Sequence, residues 1–428
     1  MDSWDGLILF QAKLIHYKVH CLRKDKCLLA NQDIERRYSM QNELIKSIEL
    51  IPVHVPFNPI TREAMASSEG GLGMAIQAEE SWLGADFVIC KLETNEGTVG
   101  LGEVFIWLPE TGVTTSQITN VIEEAFSRYI IGENPFDVLK VNERMDKNVA
   151  RNEVAKGLVD MAFYDLMGKI VDKPCRDLIG GTKLDKIPLA ALIPLGPVDK
   201  MLEFGQVFYN MKYPAFRIKL GKNKDKDKEV IAALRDAFGD DIRIRVDYNQ
   251  AYTPNEAINA IQSIEPFNID FIEQPVHSRD FLAFAEVQKN VSIPLMAHES
   301  FFAIQDFIVL LELQAVGILG LNSERPGGVT KALQAIDYAS KKGIPCVLHN
   351  QPLGIASAMH IHLHCANPSA FSHPTELFGH MMLEDDLIMK PIQYRKGMAH
   401  LPEGPGWGVK LDEKATSKYQ VGNRINIK

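Results

Sequence analysis

"AFRIKLGKNKDKDKEVIAALRDAFGDDIRIRVDYN", residues 215–249, holds a complete strand–helix–strand unit. "AFRIKLG" alternates and stops at a glycine, so Arg217 and Lys219 leave the strand on the same side. Apolar residues in "KDKEVIAALRDAF" recur at helical spacing, and "IRIRVDYN" (242–249) alternates again. The lysines of 221–230 are interleaved with aspartates, which reads as the solvated start of that helix. Two strands joined through a helix pair in parallel. Two cations aimed at one place also need an anion, because burying them unpaired is costly.

The same rhythm extends outward from about residue 186. Candidate strands are 187–195, 215–221, 242–249, 269–275, 293–300, 316–322, 344–350 and 374–378, with helical patterns between them. Eight strands alternating with helices predict an α/β fold with a parallel sheet, and its closed form is a TIM-type barrel. Upstream, "IKSIELIPVHV", "ADFVICKLETNEG" and "VGLGEVF" read as strands, followed by helical patterns at 115–130 and 154–171. That is an α+β unit. The segment 57–80 contains Gly70, Gly71 and Gly73 but has neither GxGxxG spacing nor a phosphate-loop lysine, and reads as a lid. Residues 1–44 are polar, join no pattern and receive no function.

Composition narrows the partners. A chain of 428 residues with 46% hydrophobic content builds a sizeable core, and a formal charge of −9 argues against a nucleic-acid surface. A small molecule is the expected partner. No run approaches the roughly 18 apolar residues of a membrane span, and no cleavable leader is evident. The six cysteines are scattered without CxxC pairs, the pattern of reduced thiols in a cytoplasmic protein.

In a barrel of this kind, polar residues at the C-terminal strand ends face the active site. Here they are Lys219, Asp247, Glu273, Glu299, Asn322, His349 and Glu376, spaced 23 to 28 residues apart, one strand–helix unit each. Asp247, Glu273 and Glu299 sit on three successive strands. Three converging carboxylates repel one another, and a hard divalent cation such as Mg²⁺ resolves that, leaving coordination positions for substrate. Arg217 and Lys219 then face a metal-bound anionic substrate. Magnesium and cations around a carboxylate stabilise the enediolate formed when its α-proton leaves. Lys219 is the candidate base, and Arg217 clamps or polarises the carboxylate.

The motifs "RIK", "VDYNQ", "FIEQP", "AHES", the glycine pair 327–328 and "GPGWGV" (404–409) resemble the mandelate racemase and muconate lactonizing enzyme family of the enolase superfamily. The resemblance spans about residues 45–415. It implies a modified (β/α)₇β barrel at 151–379 under an α+β capping domain at 45–150, with 380–428 returning to the cap. It implies that Asp247, Glu273 and Glu299 bind Mg²⁺, that Lys219 is the base, and that the chain forms a homo-oligomer. It places specificity on capping loops around 57–83 and 104–112.

The departures bear on the reaction. The usual KxK is RxK here. Muconate-type relatives carry a second lysine where Asn322 stands, and racemase-type relatives carry an aspartate there that partners the histidine matched by His349. An amide stabilises an imidazolium less well, so His349 is expected to be a weakened base. Asn249 and Asn322 are candidate substrate contacts. Glu376 either bonds the substrate carboxylate or forms a salt bridge in the barrel. His298 is expected to point away by strand alternation and to pack. His360, His362 and His364 spread around a helix and read as packing too. One strong base and one weak acid/base lean toward an acid-sugar dehydratase, with His349 protonating the leaving hydroxyl. The alternatives are a racemase or epimerase of a hydroxy acid or amino-acid derivative, and a non-catalytic ligand-binding member.

Overall fold

A computed structural model describes residues 43–67, 83–181 and 184–428. All but the last two residues of the extension 1–44, and residues 68–80 of the expected lid, lie outside the described residues. What is described of the lid begins as a helix, Pro59–Ser67.

Strands β1 (Ile45–Pro56), β2 (Gly84–Thr94) and β3 (Val99–Ile106) form an antiparallel sheet. β2 and β3 turn through Asn95–Gly97, where Gly97 takes a positive φ of 86°. The expected strand at 187–195 divides in two. β4 (Lys186–Pro188) turns outward, and β5 (Ala190–Ile193) begins the barrel. It continues with β6 (Ala215–Lys219), β7 (Arg243–Asp247), β8 (Ile269–Glu273), β9 (Leu295–Ala297), β10 (Ile318–Leu321), β11 (Cys346–Asn350) and β12 (Glu376–Leu377). Neighbouring strands run parallel in chain order. The ring closes where the Ala190 N–H donates to Thr375 O (2.9 Å) and the Thr375 N–H donates to Pro188 O (3.0 Å). Seven helices alternate with these strands, giving the expected (β/α)₇β order. β13 (Tyr394–Arg395) and β14 (Met398–His400) pair with β4, and β15 (Ile425–Ile427) returns to pair with β1.

The charged stretch 221–230 is a capped helix start. Asn223 Oδ1 accepts the Lys226 N–H (2.9 Å), and Asp225 and Asp227 occupy the first turn, where the helix dipole favours anions. One of them is not solvated: Asp227 is buried, accepting from the Gly221 N–H (3.1 Å) and the Tyr252 hydroxyl (2.5 Å). Inside the barrel, Phe271, Met296, Ile318 and Val347 form an apolar plug beneath the polar strand ends.

Helix Glu153–Ile170 is buried along nearly its whole length, packing on β2 and β3 on one side and on helix Gly328–Lys341 on the other. It joins the capping sheet to the barrel instead of opening the barrel alone. Gly100 and Gly102 of β3 allow this approach: a Cβ at Gly102 would stand 2.2 Å from Leu158 O, and one at Gly100 would stand 2.3 Å from Ala162 O. Since backbone atoms cannot step aside, Gly102→Ala should cost about 1–3 kcal/mol. A thermal midpoint equal to the parent's would show that the helix can shift away. Between these glycines and the barrel, buried Glu103 accepts the N–H groups of Leu353 (2.7 Å), Ile355 (3.0 Å) and Ala356 (3.2 Å). A capping-sheet carboxylate therefore caps the helix that follows β11. Glu324, after β10, accepts from the Phe105 N–H (2.9 Å) in the opposite direction.

Candidate active site

Parallel register sets Lys219, Asp247 and Glu273 level with one another at the ends of β6, β7 and β8. Glu273 is level with Met296, so Glu299 stands three residues further on, in the turn after β9. Gln274 shapes that turn. Its Oε1 accepts the N–H groups of His298 and Ser300 (3.1 Å each), and its Nε2 donates to Ser300 Oγ (2.8 Å) and Val276 O (2.9 Å).

Arg217 is the centre of the charge cluster. Its Nη2 donates to Asp247 Oδ2 (2.6 Å), its Nε to Glu273 Oε2 (3.0 Å) and its Nη1 to Glu376 Oε2 (3.1 Å), while Nη2 also bonds Glu273 Oε1. Lys219 Nζ donates to Asp247 Oδ2 (2.5 Å) and Asn249 Oδ1 (2.7 Å), and Asn249 Nδ2 donates on to Glu299 Oε1 (3.2 Å). Asn249 thus bridges the lysine and the third carboxylate. Glu376 forms the salt-bridge arrangement, with Arg217, with Arg245 Nη2 (3.0 Å) and with Gln351 Nε2 (2.6 Å).

Burial works against the charges of Asp247, Arg217, Glu273 and Glu299, and neighbours outweigh it at the first two. Burial raises Asp247, but Lys219 and Arg217 outweigh it and hold it at about 2. Burial lowers Arg217, yet Glu273, Glu376 and Asp247 keep it firmly charged. Glu273 is pushed up by burial and by Asp247, against Arg217. Glu299 is pushed up by burial and Asp247, and its buried Oε2 has no hydrogen-bond partner. The cluster holds four carboxylates (Asp247, Glu273, Glu299, Glu376) against three cations (Arg217, Lys219, Arg245). Oxygen donors short of positive charge fit a hard divalent cation. Among the described residues, the groups whose ligand atoms all lie within 4.8 Å are Glu273–His298–His349 and Glu110–His298–Glu299, and the set Asp247–Glu273–Glu299 is not one of them.

Two expectations change here. β9 ends at Ala297, so alternation no longer governs His298, and its ring turns into the site, with Nδ1 3.3 Å from both Glu273 Oε1 and Glu299 Oε2. Asn322 closes the turn after β10, its Oδ1 accepting the N–H groups of Arg325 (2.8 Å) and Glu324 (3.2 Å). His349 packs against His298 instead, ring centroids 4.1 Å apart, and its buried Nε2 has no hydrogen-bond partner. Burial, with His298 and Arg217, holds His349 neutral, well below the usual range. Burial brings His298 down to about 3, Glu110 opposing and Arg325 assisting. His362 and His364 bond Trp407 O (3.1 Å) and Thr375 Oγ1 (2.7 Å) respectively, in separate surroundings.

Residues 200–415 match the family model described as enolase C-terminal domain-like, and 72–180 match the mandelate racemase / muconate lactonizing enzyme N-terminal domain. The chain belongs to the mandelate racemase/muconate lactonizing enzyme family of the enolase superfamily. It is similar to the N-succinyl-L-Arg/Lys racemase of Bacillus cereus, 28% identical over 336 residues, covering 78% of this chain and 90% of that protein. The crystal structure of that racemase superposes with a TM-score of 0.81 at 25% identity, covering 90% of this chain and 100% of the other. The hydrophobic dipeptide epimerase of Enterococcus faecalis is 33% identical over 281 residues, 65% of this chain and 79% of that protein. A structure of a dipeptide epimerase from this organism, complexed with Mg and the dipeptide L-Leu-L-Tyr, has a TM-score of 0.76 at 28% identity, covering 86% of this chain and 99% of the other. A chloromuconate cycloisomerase of Cupriavidus pinatubonensis is 27% identical over 347 residues, 78% of this chain and 90% of that protein. Among the described residues, no helix is long and apolar enough to cross a membrane.

Proposed function

We propose that this family member is a Mg²⁺-dependent racemase or epimerase that removes and returns the α-proton of a carboxylate, with an N-substituted amino acid or small peptide as the substrate class. The single observation that carries this is Lys219, buried at a strand end with its ammonium held by Asp247 and Asn249. Asp247, Glu273 and Glu299 would hold the metal, which supplies Lewis-acid stabilisation of charge on the substrate carboxylate. Arg217, with Lys219, keeps Asp247 ionised, opposes the upward push on Glu273, and orients both carboxylates. Lys219 serves one face, delivering a proton as the ammonium and, once that proton has passed to solvent, taking one as the neutral amine. His349, on a strand far round the ring from β6, is kept neutral with Nε2 free, which suits it to the other face.

The racemase and epimerase relatives favour this reading over dehydration. Dehydration requires a His349 weakened by Asn322, whereas Asn322 is engaged in its own turn. The test is proton NMR with mass analysis in D₂O and Mg²⁺, offering N-acyl amino acids, dipeptides and acid sugars. α-Deuteration with inversion and no loss of water is expected. A 2-keto-3-deoxy acid would restore dehydration, and metal-independent silence across the set would favour a binding protein.

A further inference from the structure

His298 is pinned more firmly than packing requires. Arg325 Nη2 lies 2.6 Å from His298 Nε2, and Arg325 Nη1 donates to the His298 carbonyl (3.1 Å). Arg325 is itself held by Glu110 Oε2 (3.2 Å), on the capping segment Leu108–Thr111, and lies over the Phe302 ring at 5.2 Å. We infer that His298 is a positioning residue for the metal carboxylates, fixed by Arg325 in the tautomer that carries its proton on Nδ1. This rests on the proposed reading of Glu273 and Glu299 as metal ligands.

A guanidinium has donors and no acceptor, so at this contact Nε2 must be the bare nitrogen. In a neutral ring the proton then sits on Nδ1, which faces Glu273 Oε1 and Glu299 Oε2 at 3.3 Å each. Both His298 Nδ1 and Glu299 Oε2 are buried without a hydrogen-bond partner. A shift of a few tenths of an ångström would let the N–H reach either carboxylate and leave that carboxylate's remaining lone pairs toward the cation. The same tautomer removes His298 from the donor set. The two groups within 4.8 Å need a free ring nitrogen, whereas Nε2 is occupied by Arg325 and Nδ1 carries hydrogen. Through Glu110 and Arg325, the capping segment is thereby connected to the orientation of Glu273 and Glu299.

The test is Mn²⁺ titration of the full chain, followed by electron paramagnetic resonance, for the parent, His298→Ala and His298→Asn. An asparagine amide nitrogen overlays Nδ1 and offers an N–H there. His298→Ala should bind Mn²⁺ about tenfold or more weakly, and His298→Asn should stay within about threefold of the parent. Equal binding by parent and His298→Ala, or equal loss in both variants, overturns the inference while the metal reading stands. A parent that binds no Mn²⁺ overturns both. Ring ¹⁵N shifts of His298 in the metal-free parent provide the second readout: a protonated Nδ1 and bare Nε2 are expected, and the reverse refutes the assignment.

Discussion

Lys219→Ala should slow exchange of the α-proton of the stereoisomer that presents it to Lys219 by about 10²–10⁴-fold, the usual contribution of a positioned base. The fold should persist, because Asp247 keeps Arg217 as partner when the lysine is gone. Lys219→Arg should not restore the rate, since a guanidinium does not give up its proton near neutrality. If Lys219 and His349 serve opposite faces, Lys219→Ala will still exchange the proton of one stereoisomer through His349, and racemisation will stop. His349→Asn should show the mirror pattern. Full turnover in Lys219→Ala, with either stereoisomer, would remove lysine from the reaction.

The barrel was legible because each strand end carries one polar residue at a nearly constant interval, and that interval is the length of a strand–helix unit. Lys219, Asp247 and Glu273 lie inside strands, so alternation assigns their faces correctly. His298 and Glu299 lie one and two residues beyond β9, where a turn replaces the pleat and the period of two no longer applies. The sequence carried a signal for that turn: Gln274, in "FIEQP", is the residue whose side chain holds it. Asn322 misled for a related reason. A short amide after a strand bonds the backbone ahead of it as readily as it bonds a neighbouring ring, and the choice depends on the turn 322–326. Glu110 and Arg325 are 215 residues apart, so their contact depends on how the cap lies on the barrel, and no local pattern contains it.

Arg217→Leu should destabilise the protein by about 3–5 kcal/mol, the cost of leaving buried charge without its partner. Three carboxylates depend on this one side chain, and its planar fork matches them as a lysine could not: Nε and Nη2 address Glu273, Nη2 also Asp247, and Nη1 Glu376. Arg217→Lys should therefore recover only part of the loss, restoring the charge at one point. The double variant Arg217→Leu/Glu376→Gln separates the two contributions. Glu376 would retain Arg245 after Arg217 is removed, whereas Glu273 would retain only weaker, longer contacts. Neutralising Glu376 as well should thus return little stability, because the uncompensated charge lies on the metal-ligand side of the cluster. Saturating Mg²⁺ should raise the thermal midpoint of Arg217→Leu more than that of the parent, since the ion replaces charge that the parent already supplies. Equal midpoints for parent and Arg217→Leu in chelator would mean that these carboxylates take up protons in the fold and that Arg217 does not keep them ionised.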